Sequence, residues 1–246
     1  MNFCISMTSV PPRFSSLEKT LNSLNNQKKK PEKIYLNIPK IFKRFKNIEY
    51  DFNNLTKKFT NLIVNKCNND YGPGTKLLGS LDQILKYDFV VLVDDDHIYK
   101  KQMLGIFFDL AETSDDKCYS FCVYNILDCK VGQGADGFAI HTRYLNKIEN
   151  FFDKYVKDNE KLLLNDDLWI SIYLNKVLNV DIISAFPLLK QPFLFKHKSI
   201  YKKHTQLGAI IETYSTNRKE ARELKYKENC DEYLLFKNKT NNFRNI

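Results

Sequence analysis

The chain opens on an apolar run, Phe3-Cys4-Ile5-Ser6-Met7, and residues 2–8 read as a buried strand. Leu17, Leu21 and Leu24 follow at helical spacing and predict an amphipathic segment. Lys33–Ile38 and Asn61–Val64 read as further strands. Leu77, Leu78, Leu81, Ile84 and Leu85 form a stripe that predicts a helix over 75–86. Phe89-Val90-Val91-Leu92-Val93 is short, rich in β-branched residues and bounded by charge, which is the pattern of a central strand. Met103–Leu110 reads as helix, Tyr119–Tyr124 as strand, and 166–178 as helix again. Strands alternating with helices predict an α/β architecture with a largely parallel central sheet flanked by helices. After about residue 185 the periodicity fades into a basic, polar stretch.

Length and composition narrow the class. A chain of 246 residues suits one large α/β domain with at most a small appendage. Such a chain buries roughly 70–75% of its unfolded surface, so folding requires neither disulfide nor metal. No apolar run approaches the ~18 residues of a membrane span. Pro11-Pro12 arrives too early for the apolar segment of a signal peptide, so a soluble, cytoplasmic protein is expected. Cys118, Cys122 and Cys129 crowd together without the spacing of a zinc site, and all six cysteines read as structural thiols. The net charge of +9 raises the question of nucleic acid. The lysines are dispersed, however, as in Lys28-Lys29-Lys30, Lys57-Lys58 and Lys100-Lys101, which is the pattern of solvated faces. Only Phe193–His204 interleaves basic and aromatic residues, and it is short, so no nucleic-acid partner is expected.

The chemistry begins where the central strand ends, at Asp94-Asp95-Asp96. In an open α/β sheet ligands bind beyond the carboxyl ends of the strands. If the extension persists, Asp94 and Asp96 project to one side and Asp95 to the other. Two carboxylates on one side suit Mn²⁺ or Mg²⁺, hard ions shared with substrate phosphates. Gly72-Pro73-Gly74 reads as a turn with Thr75 opening a helix behind it. Backbone amides there could approach an anion, with Lys76 as an added point charge; a plain turn, cap and solvated lysine is the alternative. Asp167 shares helical register with Ile170, Leu174 and Val177, which turns it inward, whereas Asp166 falls off that face. Either acid would also be stabilised by the helix macrodipole without doing chemistry.

Several segments together resemble small GT-A glycosyltransferases of bacteria and large viruses. They are Ile5–Phe14, Asp70-Tyr71-Gly72-Pro73-Gly74-Thr75-Lys76-Leu77-Leu78, Val91–Asp96 with its D-x-D, Ala135–Phe138 and Asn165–Ser171. The match runs over roughly residues 3–180, and the closing region lies outside it. The resemblance implies a Rossmann-like GT-A fold over 1–195, with 196–246 a basic extension packed on the same domain. It implies a sugar moved from a UDP-sugar donor to the hydroxyl of a glycan or other acceptor, inverting and dependent on Mn²⁺ or Mg²⁺. Thr8, Ser9 and Arg13 would line the base and ribose pocket, Asp70 would contact base or ribose, and Lys76 base or phosphates. Asp94 would meet the ribose or a metal-bound water, Asp95 would belong to the same donor-binding set, and Asp96 would bind the metal. Asp136 would meet donor sugar or acceptor, and Asp167 would be the catalytic base. A late histidine, His197 before His204, would complete the metal shell, neutral imidazole being a ready ligand. Two rivals stand beside this: a metal-dependent nucleotidyltransferase, told apart by releasing pyrophosphate, and a non-catalytic basic nucleic-acid-binding protein, told apart by salt-sensitive DNA binding.

Overall fold

A computed structural model describes residues 1–185, 198–199 and 218–240. Four parallel strands form its first half: β1 (Phe3–Thr8), β2 (Lys33–Pro39), β3 (Leu62–Cys67) and β4 (Phe89–Leu92). Alternation along the strands builds two cores, one on each face. Ile5, Met7 and Val91 face one way, against Leu17, Leu21 and Leu24 of α1 (Leu17–Asn25). Cys4, Val90 and Leu92 face the other way, toward Leu77, Leu78 and Trp169. Residues buried on both sides explain why β1 and β4 read as unbroken apolar runs.

The remaining elements, in chain order, are α2 (Asn53–Lys58), α3 (Thr75–Leu78), α4 (Leu81–Ile84), β5 (His97–Ile98) and α5 (Met103–Thr113). They continue with β6 (Cys118–Ser120), β7 (Val123–Ile126), β8 (Cys129–Gly132), β9 (Phe138–His141), α6 (Ile148–Tyr155), α7 (Glu160–Leu163), α8 (Asp166–Ser171) and β10 (Ile182–Ser184). β11 (Lys198–Ser199) pairs with β5, and α9 (Arg218–Lys239) is the last element. The main sheet has seven strands in the order β10-β6-β9-β4-β1-β2-β3, and only β9 runs antiparallel to its neighbours. The expected α/β fold with a mostly parallel sheet is what the chain adopts.

Local departures from the sequence pattern have physical causes. The stripe over 75–86 is two short helices, because Gly79 and Ser80 interrupt it. Gly79 packs so closely on Asn37, Cys67 and the Thr75 carbonyl that no side chain fits there. The strand-like stretch at 119–124 is divided: β6 stays in the main sheet, while β7 pairs with β8 in a separate hairpin turned at Leu127 (φ 53°). The helix over 166–178 widens into a π-helical turn at Ile172–Val177, with the Leu178 amide donating to the Tyr173 carbonyl at 3.0 Å. All six cysteines are free, and burial pushes the Cys67 thiol to about 11 and the Cys118 thiol to about 12. Among the described residues no helix is long and apolar enough to cross a membrane.

Candidate active site

β1 and β4 lie side by side in parallel, with Ser6 opposite Leu92, so the residues that follow them emerge at the same sheet edge. β4 ends at Leu92 and residues 95–96 form a turn, so the alternation expected of the three aspartates does not hold. Asp95 and Asp96 both turn toward Arg13, at 2.7 and 3.4 Å. Asp95 also accepts from the Ser9 hydroxyl at 2.5 Å, and its backbone carbonyl accepts from Thr20 of α1 at 2.8 Å. Both acids are 4% exposed. Burial raises the Asp95 carboxyl even against Arg13 and Ser9, so this cluster fixes position more than it adds stability. The Arg13 guanidinium is opposed by burial, but Asp95 and Asp96 hold it above its ordinary range.

Asp94 faces a different partner. Its carboxylate meets the Lys76 ammonium at 2.5 Å, and about a third of its side chain (34%) remains exposed. Lys76 is buried, and on its other side Asp166 of α8 stands at 3.0 Å. Burial alone would depress this ammonium; Asp166, Asp94 and Asp167 outweigh it and hold the lysine charged, well above its usual range. The sequence set Lys76 against donor base or phosphates, with a solvated lysine as the alternative, and Asp166 off the inward face. The structure buries Lys76 and turns Asp166 inward, which corrects the solvated alternative and the reading of Asp166. Lys76 is a buried tie between two loops rather than a solvent-facing point charge. Asp166 reaches the site from the first turn of α8, where it is buried and pairs with Lys76.

Asp167 completes this side. Its Oδ1 accepts from the Gly134 amide at 2.8 Å. A Cβ added to Gly134 would lie 3.2 Å from that oxygen and 3.3 Å from Lys76 Nζ, so only glycine lets the loop come this close. Burial, and then the charge of Asp166, raise the Asp167 carboxyl to about 8, against the pull of Lys76 and the Gly134 amide. A carboxyl poised there can hold or release a proton near neutrality.

The loop after Gly134 brings Asp136 toward His97. Burial raises Asp136, His97 lowers it and Asp94 raises it further. The His97 Nδ1 lies 2.6 Å from Asp96. Burial would lower this imidazole, but Asp96, Asp94 and Asp136 raise it on balance. The Tyr99 hydroxyl ties the two loops, donating to the carbonyls of Asp94 (3.1 Å) and Ala135 (3.0 Å). Three carboxylates around one imidazole make a place that favours cations. Among the described residues no group of three or more His, Cys, Asp or Glu stands ready to hold a metal. The donor set of Asp94 and Asp96 still fits a hard ion that takes one or two carboxylates and draws its remaining oxygens from substrate phosphate and water.

The other expected residues sit at the rim or outside. The Thr8 hydroxyl donates to the Asn37 carbonyl at 2.7 Å. Both oxygens of Asp70 accept backbone amides, from Lys43 and Gly72, each at 2.8 Å, which marks it as a loop-shaping residue. The glycine turn behaves likewise. Gly72 takes φ +61°, and a Cβ on Gly74 would meet the Trp169 ring at 2.8 Å, so the space beside it is filled by indole rather than left for an anion. His197 and His204 lie outside the described residues. Sequence reasoning missed Gly134 and Tyr99, whose roles are backbone proximity and loop tying; neither leaves a periodic or compositional signal.

No family model matches the chain, and no curated protein matches it in sequence. Its fold is similar to S. aureus TarS 1–349 in complex with UDP, with a TM-score of 0.51 and 18% identity over 75% of this chain and 58% of that one. The same fragment without ligand gives 0.51 and 16% identity over 95% and 71%. Its complex with UDP-GlcNAc gives 0.50 and 14% identity over 75% and 56%. The chain thus spans little more than half the length of the TarS fragment in the first alignment, 58%. At these identities the likeness concerns architecture alone, and that architecture is the GT-A fold expected from the sequence.

Proposed function

We propose that this chain is a glycosyltransferase that moves a sugar from a UDP-sugar to an acceptor hydroxyl, dependent on Mn²⁺ or Mg²⁺ and inverting. One observation carries the reading: the buried Lys76 ties Asp94, at the end of the central strand, to Asp166, beside Asp167. Carboxylates suited to a metal–diphosphate and a carboxyl suited to taking a proton thus share one site. The TarS structures hold UDP and UDP-GlcNAc, which supports a uridine nucleotide as the donor class.

The chain's own residues would divide the work. Asp96 and Asp94 would hold the ion, which when bound neutralises charge on the departing diphosphate. Arg13, locked by Asp95, keeps Asp96 in place. Asp136 stands on the opposite loop and would meet the donor sugar or the acceptor. Asp167 would accept the acceptor's proton as the new bond forms, because a hydroxyl is a poor nucleophile until that proton leaves. Its held position on the Gly134 amide would aim the carboxylate at one face of the sugar, as single displacement requires.

The test is turnover of UDP-GlcNAc and other UDP-sugars with and without chelator. The reading expects UDP as product, loss of turnover in excess EDTA and its return with Mn²⁺ or Mg²⁺. Release of pyrophosphate would make the protein a nucleotidyltransferase instead, and full turnover in EDTA would remove the metal from the account.

A further inference from the structure

α9 carries a weak sequence signal and yet is firmly docked. Tyr233 and Phe236 are buried, with the Phe236 ring 5.5 Å from Phe151 and 5.6 Å from Tyr155 of α6. The Tyr233 hydroxyl donates to Asp128, in the turn between β7 and β8, at 2.8 Å. Lys176 and Lys237 pair with the same carboxylate at 2.9 and 3.4 Å.

A second set of contacts is directed at the starts of two helices. Asn159 is the N-cap of α7, and Asn165 is the N-cap of α8. The Asn159 side-chain oxygen accepts from the Leu162 amide at 3.2 Å, the usual work of a capping asparagine. Its amide donates to Glu232 of α9 at 3.3 Å. Asn165 behaves differently. Its side chain makes no capping hydrogen bond in its own helix, and its amide donates instead to the Asn229 side-chain oxygen at 2.9 Å. Asn229 and Glu232 are buried and stand three residues apart, so they share one face of α9. That face grips both N-caps, with the short α7 strung between them.

Asp166 and Asp167 follow Asn165 directly as the first turn of α8. The Asn165 carbonyl opens this turn, accepting from the amides of Leu168 at 3.1 Å and Trp169 at 3.2 Å. An anchor on the Asn165 side chain therefore fixes where the turn begins, and with it where the Asp167 carboxyl stands. A satisfied buried polar pair is a rigid anchor of this kind. At its other end the carboxyl is held by the Gly134 amide.

We propose that α9 is a working part of the active site, and that Asn229 is a positioning residue for Asp167, acting through Asn165. The consequence for catalysis rests on the reading of Asp167 as base; the placing of the carboxyl does not.

Hydrogen exchange on the full chain tests the placing without substrate, with the Gly134 amide as reporter because Asp167 accepts from it. Asn229→Ala should speed exchange at Gly134 about tenfold or more through local opening, and leave the amides of β1 and β4 as in the wild type. Asn165→Ala removes the same bond from the other side and should match it. The double variant should then gain no more than either single one. Tyr233→Phe loosens α9 at Asp128 and should leave Gly134 unmoved. In turnover of a UDP-sugar, Asn229→Ala should lower kcat by about 10–100-fold, the cost of displacing a reacting group by up to about 1 Å. KM for the donor should stay unchanged. Wild-type exchange at Gly134 in Asn229→Ala, or acceleration shared by β1 and β4, overturns the proposal. If exchange responds locally while Asp167→Asn transfers sugar at the wild-type rate, the positioning stands and the base assignment falls. If Asp167→Asn is inactive and Gly134 is unmoved in Asn229→Ala, the base stands and Asn229 only docks the helix.

Discussion

Two charged clusters sit within one sheet edge, and they are built on opposite terms. Around Arg13, one guanidinium meets Asp95 and Asp96, with Ser9 and Thr20 satisfying further oxygens, and Asp95 and Asp96 are almost wholly buried. Around Lys76, one ammonium faces Asp94, Asp166 and Asp167, and the surplus charge opens to solvent at Asp94. The first cluster is closed and fixes the turn. The second is overloaded with carboxylate, and burial, then the charge of Asp166, push Asp167 up to about 8. The difference teaches that three adjacent identical residues can have separate partners: Asp95 and Asp96 are held by Arg13 in the closed cluster, while Asp94 pairs with Lys76 and stays partly open to solvent.

Breaking the two clusters should therefore give different failures. The largest effect is expected at Asp167: Asp167→Asn should cut sugar transfer by about 10²–10⁴-fold, because the amide cannot take a proton. Its melting temperature in the ligand-free state should not fall at neutral pH, since a strained carboxyl is being removed. A large loss of stability with modest loss of rate would make Asp167 structural. Asp95→Ala should do the reverse, costing about 3 kcal/mol of stability by taking from Arg13 its nearer partner, Asp95, and leaving only Asp96. Urea unfolding measures it, and a change under 1 kcal/mol would contradict the scaffold role.

Lys76→Met tests the second cluster from its centre. It strands Asp166, so it should destabilise by about 3 kcal/mol. It should also raise Asp167 further, because Lys76 is the charge that lowers it. A variant as stable as wild type would return Lys76 to the solvent-facing role that the sequence implied. The last test is the stability linkage. The folded Asp167 carboxyl titrates near 8 and an unfolded aspartate near 3.9, so the folded state holds the proton more tightly between them. That contribution is full below about pH 4 and is lost as pH rises toward 8. The melting difference between Asp167→Asn and wild type should therefore grow over that window, and a constant difference would mean an ordinary carboxyl.

The fold was largely legible because β1, β2 and β4 are buried on both faces and leave mainly apolar runs. The end of β4 was legible for the same reason, and with it the place of the aspartates. Which aspartate faces which partner was not, because the turn at Asp95–Asp96 cancels the alternation on which the reading depended. Asp166 was misplaced because its inward position is set by the ion pair with the buried Lys76, a partner distant in sequence that helical register does not reveal. α9 was invisible because it docks with few apolar side chains, Tyr233 and Phe236, and through buried polar residues such as Asn229 and Glu232. No hydrophobic stripe marks a helix held that way.

The central claim is that Asp167 is the base of a sugar transfer. The pH dependence of kcat/KM for transfer from a UDP-sugar tests it most directly, since this ratio reports groups of the free enzyme. The ionised carboxylate is the active form, so the rate should fall tenfold per pH unit below a limb near 8. The limb should vanish from whatever activity remains in Asp167→Asn. A limb near 4, or an unchanged limb in Asp167→Asn, would contradict the account.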